Sequence, residues 1–281
     1  MGSLQLAKQK TSFPIGIFDS GIGGLTVANA ISKVLPNESL IYFGDTAHLP
    51  YGDKSPDSIK YYAIRISQLL LKKKCKMIVI ACNTASSFAY DVVKDFVGNE
   101  VPVIDVINPV VDVVAKQFNH CGIGVIGTKG TIKSNVYAQK IHQKNKTLQT
   151  ISLATPLLAP MIEEGFFNNN ISRTIINSYL SRPKIKKIKA LILACTHYPL
   201  IRPEIEEYYH NKVKIIDSAE IVADHVTSVL KQMGLLNTSK KSKHHFYVSD
   251  YTQSFEKSTK LFFKGKIDLE HFPLWEKQSE H

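Results

Sequence analysis

The stretch Ile78–Ser86 reads IVIACNTAS, an apolar run of strand length closed by a cysteine and small, mostly polar residues. At Leu191–Pro199 the pattern returns as LILACTHYP, with the same Ala-Cys after the same kind of run and a threonine close behind. A strand buried on both faces of a parallel sheet reads as a short continuous apolar run. Each cysteine therefore falls at a strand's C-terminal end, the edge beyond which open parallel sheets bind their ligands. Two such ends, each carrying a thiol, predict two similar sheets facing one another across one molecule.

The rest of the chain extends this pattern. Short apolar runs alternate with longer amphipathic segments, the signature of βα units. Strands are expected at Ile15–Phe18, Leu40–Phe43, Met77–Ala81 and Val103–Val106, and again at Ile123–Ile126, Thr150–Leu153, Leu191–Ala194 and Val213–Ile216. IGIFDSGIGG begins at Ile15 and IGVIGTKGT at Ile123, 108 residues later; the two cysteines are 113 apart. Near-equal offsets at separate motifs read as a duplication. Beyond Asp217 there is no counterpart, only a helical pattern over 218–234, a strand candidate at 245–249 and a helix candidate at 251–264. This tail is expected to return to the first sheet. The expected fold is α/β, with two pseudosymmetric domains, each a mostly parallel sheet flanked by helices, and the active site in the cleft between them. The first domain spans 12–107 plus 217–270 and carries Cys82; the second spans 108–216 and carries Cys195.

Composition narrows the function. A chain of 281 residues with 44% hydrophobic and 21% charged residues is globular and long enough for a real core. No apolar stretch reaches membrane-spanning length and the N-terminus lacks a signal-peptide core, so a soluble cytoplasmic protein without a membrane partner is expected. Four cysteines without a CxxC pair or clustered histidines argue against a disulfide scaffold or a metal site. The net charge of +11 comes largely from lysine knots at 72–76, 184–189 and 240–245. The first two precede the cysteine strands, where they are expected to stay solvated and complement helix C-terminal ends. No aromatic-rich basic strand accompanies them, so nucleic acid is not an expected partner; an acidic small substrate would suit the charge.

Two thiols flanking one carbon acid can remove a proton from one face and return one to the other, which is racemisation without a cofactor. Thiolate is the base and thiol the acid, with a free pKa of about 8.5 close to neutrality. His197 stands where it can lower that value for Cys195 or donate to the substrate. Asp19, at the end of the first strand, is placed to assist Cys82, by hydrogen bonding or proton shuttling, since a bare carboxylate would raise the thiol's pKa. DSGIGG at 19–24 leads into a helix, so its amides can bind a carboxylate. It lacks the GxGxxG spacing of a dinucleotide site. Asn83, Thr84 and Thr196 can meet an α-carboxylate and amine, and the turn at 50–55 can present Tyr51 and Gly52. A lone strand-end cysteine is more often a small buried hydrophobe, which is the reading for Cys75 and Cys121; the repeated Ala-Cys context sets Cys82 and Cys195 apart.

GIFDSGIGGLTV, YFGDTAHLPYG, ACNTAS and LACTHYPL, in that order, resemble the glutamate racemases of bacterial cell-wall synthesis, over about Pro14–Leu236. The resemblance implies Cys82 and Cys195 as the acid/base pair, assisted by Asp19 and His197, with Glu163 of APMIEEG near the second thiol. It places Ser20, Tyr51, Gly52, Asn83, Thr84, Thr131, Thr196 and His197 around glutamate, with no cofactor and no metal, and it admits a homodimer. It also implies a role in peptidoglycan supply and cell shape. The rival within the superfamily is an aspartate racemase, expected to carry a histidine where Ser86 stands and an acidic residue where His197 stands. The rival from another class is a non-catalytic basic binding protein.

Overall fold

The computed structural model describes residues 10–238, 242–265 and 267–276. The N-terminal stretch 1–9 and the first two lysines of the run 240–245 lie outside them. Its first sheet is built on strands β1 (Ile15–Asp19), β2 (Leu40–Gly44), β3 (Met77–Ile80) and β4 (Val103–Asp105). Every residue of β1, β2 and β3 is buried, the consequence of layers packed on both faces. The second sheet comprises β5 (Gly122–Gly127), β6 (Gln149–Ala154), β7 (Ile188–Ala194) and β8 (Lys214–Asp217).

Both sheets are wholly parallel, and their strand orders match. The first runs β2-β1-β3-β4 and the second β6-β5-β7-β8, so the duplication read from two motifs is present in the topology. The tail extends the first sheet, as expected. Strand β9 (His245–Val248) pairs with β2, and β10 (Leu269–His271) pairs with β9. The three-residue β10 is too short to show any periodicity in the sequence.

The connecting helices of the first half are α1 (Leu25–Val34), α2 (Pro56–Lys72), α3 (Asn83–Val97) and α4 (Asn108–Gln117). In α2 the sequence marks both ends. Ser55 Oγ accepts the Ser58 amide, Pro56 opens the first turn, and Asp57 and Lys72 complement the two ends of the dipole. In the second half follow α5 (Lys129–Ser134), α6 (Val136–Lys144), α7 (Leu158–Glu163), α8 (Asn170–Leu180) and α9 (Arg202–Tyr208). Helices α10 (Ser218–Gln232) and α11 (Gln253–Phe262) belong to the tail, and α10 packs along α1 and α4. No helix among the described residues is long and apolar enough to cross a membrane.

Two lysine expectations need correction. Lys76 is not solvated: its side chain is 1% exposed, paired with Glu38, and its ammonium also donates to the carbonyls of Thr11 (2.6 Å) and Leu235 (2.8 Å). Three partners for three N–H donors make burial of the charge tolerable. The lysines of the run at 184–189 are exposed as expected, but the run lies beyond the last turn of α8; it occupies the 3₁₀ turn Pro183–Ile185, the two residues after it and the start of β7.

Candidate active site

The duplicated topology puts both thiols at the same structural address. Cys82 stands two residues past the end of β3 and is the N-cap of α3. Its Sγ accepts the Ala85 amide at 3.4 Å and donates to Ser20 Oγ at 3.5 Å. A helix N-terminus favours thiolate, yet burial, reinforced by the nearby Asp19 charge, pushes the Cys82 thiol up to about 12. That shift favours the protonated thiol.

Cys195 directly follows β7 and has a different partner. Its Sγ lies 3.6 Å from His197 Nδ1, and His197 Nε2 lies 2.8 Å from Glu163 Oε1, close but not aligned as a hydrogen bond. Burial works against protonating His197; the Cys195 sulfur and the Glu163 carboxylate work the other way and hold the imidazole well above its ordinary value. Glu163 is the carboxylate facing this ring, whereas Glu164 is exposed.

Asp19 is fully buried at the end of β1, and burial raises its pKa while the His197 charge opposes the rise. Its Oδ2 accepts the amides of Gly21 and Gly24, each at 3.1 Å. Two of the DSGIGG amides expected to meet a substrate carboxylate are thus taken up by the motif's own aspartate. Its Oδ1 has no partner among the described residues. Across the turn, a Cβ on Gly23 would lie 2.5 Å from the His197 ring, so only glycine lets the two halves meet there. Thr26 Oγ1 also donates to the Thr196 carbonyl at 3.1 Å.

The opposite seam is polar. Thr84 Oγ1 lies 2.9 Å from Thr128 Oγ1 and 3.0 Å from Thr131 Oγ1, joining α3 to the capped start of α5. A Cβ on Gly52 would meet Thr128 at 2.8 Å. Between the seams lies a cavity of about 200 Å³ into which Cys82 and Cys195 both open. At about 30 Å³ per water this is room for roughly seven waters, well below the several hundred Å³ of a drug-sized pocket. It fits a small amino acid. A larger cavity of about 580 Å³ lies behind Pro199 and Leu200, between α1, α10 and α11, but no thiol reaches it.

Ser20, Tyr51, Gly52, Asn83 and Thr84 line the small cavity from the first half, as expected. Glu163, Thr196 and His197 line it from the second. Asp19 and Thr131 stand one layer behind the wall, reaching it through Gly21 and Thr84 respectively. Tyr51 contributes its ring and backbone only, because its hydroxyl donates to Asp45 Oδ2 at 2.6 Å. Sequence reasoning missed Leu49, Pro50, Thr128, Ala159 and Pro160. Thr128 was legible as a helix cap, and Leu49–Pro50 by adjacency to Tyr51; Ala159 and Pro160 carry no chemical signal. Cys75 is buried and Cys121 half-buried, neither at the cavity.

The comparisons with known proteins agree with this geometry. Residues 25–226 match the family model described as Asp/Glu/Hydantoin racemase. A glutamate racemase of Chlorobaculum tepidum is 44% identical over 261 residues, 92% of this chain and 96% of that protein. The crystal structure of glutamate racemase from Francisella tularensis in complex with D-glutamate superposes with a TM-score of 0.88 at 41% identity, covering 94% of this chain and 99% of that one. The Thermus thermophilus enzyme in complex with β-chloro-D-alanine gives a TM-score of 0.82 at 34% identity, covering 94% and 99%. With most of its length inside that family model and such identity to relatives across nearly all of it, the chain belongs to the Asp/Glu/hydantoin racemase family, among its glutamate racemases.

Proposed function

We propose that this chain interconverts L- and D-glutamate by a two-base mechanism, supplying D-glutamate for peptidoglycan in the cytoplasm. The observation that carries the reading is the opening of Cys82 and Cys195, from equivalent strand ends, into one cavity of about 200 Å³. From L-glutamate, Cys195 takes the Cα proton: the Cα–H bond breaks and an S–H bond forms. Cys82 gives its own proton to the opposite face, leaving a Cys82 thiolate and D-glutamate. The reverse direction exchanges the two roles.

The surrounding groups suit this chemistry. His197, held cationic by Glu163 and Cys195, stabilises negative charge on the Cys195 side. Asn83 Nδ2, a buried donor without a partner among the described residues, suits the substrate carboxylate. Asp19 Oδ1, one layer behind the wall and without a partner among the described residues, is an acceptor suited to a relayed proton. Segments 12–107 with 217–270, and 108–216, would act as two bodies that close on the substrate; a homodimer is compatible with this scheme. The aspartate racemase alternative is disfavoured by Ser86 and His197, where that branch is expected to carry a histidine and an acidic residue.

The test is the decay of the circular dichroism of L-glutamate to zero on incubation with the purified, dialysed chain, with L-aspartate in a parallel arm. In D₂O the D-glutamate formed should carry deuterium at Cα. Persistence of the glutamate signal, or decay of the aspartate signal alone, would overturn the proposal.

A further inference from the structure

The residues after Ile267 carry none of the family motifs, yet the structure runs them back to the substrate cavity. Strand β10 pairs with β9, and beyond it the Phe272 amide donates to the Val248 carbonyl at 2.9 Å. This delivers Trp275 to Asp45, a fully buried carboxylate just after β2. Trp275 Nε1 donates to Asp45 Oδ1 at 2.7 Å, and Ser249 Oγ donates to the same oxygen at 2.8 Å. The other oxygen, Oδ2, accepts the Tyr51 hydroxyl at 2.6 Å, and His48 Nδ1 lies 3.0 Å away from it.

Asp45 therefore joins two distant parts of the chain through one carboxylate. On one side are the ends of β9 and the C-terminal segment; on the other is the turn whose residues Leu49–Gly52 form a wall of the cavity. The rings repeat the connection. His48 stacks on Tyr62 at 4.0 Å, Trp275 stands edge-on to His48 at 4.6 Å, and Tyr62 packs against Tyr51 at 5.7 Å. We propose that Trp275 is a positioning residue of the substrate cavity, acting through the Asp45 carboxylate on the Leu49–Gly52 wall. The proposal rests on the racemase reading of that cavity. Trp275 does not touch the reacting atoms, so its effect falls on substrate binding rather than on the proton transfers.

The test uses Trp275→Phe, which keeps an aromatic ring beside His48 and removes the N–H donor along with part of the indole's volume. A charge-assisted hydrogen bond lost from the wall's anchor should raise KM about fivefold for both enantiomers, with kcat within about twofold. Ile176→Val, a buried core substitution in α8, serves as the structural control: it should lower Tm and leave KM unchanged. Trp275 is also the chain's single tryptophan. Its emission in the unmodified protein should change saturably with D-glutamate, and Asp45→Asn should remove most of that response. A folded Trp275→Phe protein with the parent's KM overturns the proposal, as does parent emission indifferent to saturating D-glutamate. A saturable emission change without turnover would instead locate the failure in the racemase reading.

Discussion

Replacing Asp19 by asparagine should make Cys82 more reactive towards an alkylating reagent while racemisation falls. Cys82 is pushed up to about 12, first by burial and then by the Asp19 charge. At pH 8 that leaves a thiolate fraction of about one part in ten thousand. Removing one neighbouring like charge lowers such a pKa by about one to two units. Each unit multiplies thiolate tenfold but weakens its intrinsic nucleophilicity about threefold, so alkylation should accelerate roughly three- to tenfold overall. The asparagine oxygen can still accept the Gly21 and Gly24 amides that Asp19 Oδ2 holds at 3.1 Å, so the turn into α1 is retained. Cys75 is the internal standard. Burial alone pushes it to about 12, against a lowering contribution from Lys73, and Asp19 is not among its neighbours. A short iodoacetamide pulse at pH 8, followed by mass spectrometry of the two cysteine peptides, gives the Cys82-to-Cys75 labelling ratio in parent and variant. If Asp19 also relays a proton, racemisation should fall on the order of a hundredfold. A labelling ratio that stays constant or drops would refute the electrostatic reasoning.

Cys82→Ser should enlarge the primary deuterium isotope effect for Cα-deuterated D-glutamate, and Cys195→Ser that for L-glutamate; equal effects in both directions would remove the assignment of thiols to faces. Lys76→Ala leaves the Glu38 carboxylate buried without its cation and should cost about 3–5 kcal/mol in urea unfolding, most of it recovered in Lys76→Met/Glu38→Leu. His197 has a raised folded pKa, so its contribution to stability is complete below its unfolded value of about 6.5 and is lost as pH rises through the folded value. Tm should fall across that window, and His197→Asn should flatten that part of the curve.

The fold was legible because strands buried on both faces leave little room for polar residues: Ile15–Phe18 and Met77–Ile80 read as apolar runs for the same reason that they are fully buried. Cys82 and Cys195 were legible because they repeat in context. Groups acting through a second residue were not. Asp45 sits two residues beyond the expected strand Leu40–Phe43, where a carboxylate reads as an ordinary turn residue, and only the return of Ser249 and Trp275 from more than 200 positions away gives it meaning. Lys76 failed for a related reason. Its lysine-rich neighbours argue for solvent, while the partners that bury it, Glu38, Thr11 and Leu235, are all remote in sequence. The DSGIGG turn was legible only in part because its amides suit any anion, and the nearest anion is its own first residue.

A duplicated scaffold with unlike thiols raises the question of whether the enzyme is biased towards one enantiomer. It cannot be at equilibrium: enantiomers have equal free energy, so kcat/KM must be the same in both directions whatever the environments of the two sulfurs. What the asymmetry decides is which protonation form waits for substrate. Burial and the Asp19 charge make a Cys82 thiolate costly, whereas Cys195 has His197 3.6 Å away, its pKa held well above the ordinary value. The unlike partners thus favour a protonated Cys82. Each turnover to D-glutamate leaves the costly form, a thiolate beside the buried Asp19. Substrate ammonium can offset that charge while the cavity is occupied; afterwards the proton must be returned. Asp19, beside Cys82, and His197, beside Cys195, are the groups proposed for it, and the His197 charge opposes the rise in the Asp19 pKa across the turn where Gly23 admits the imidazole. The near-symmetry of the sheets fixes where the sulfurs stand, and the unlike partners fix the order in which they gain and lose protons.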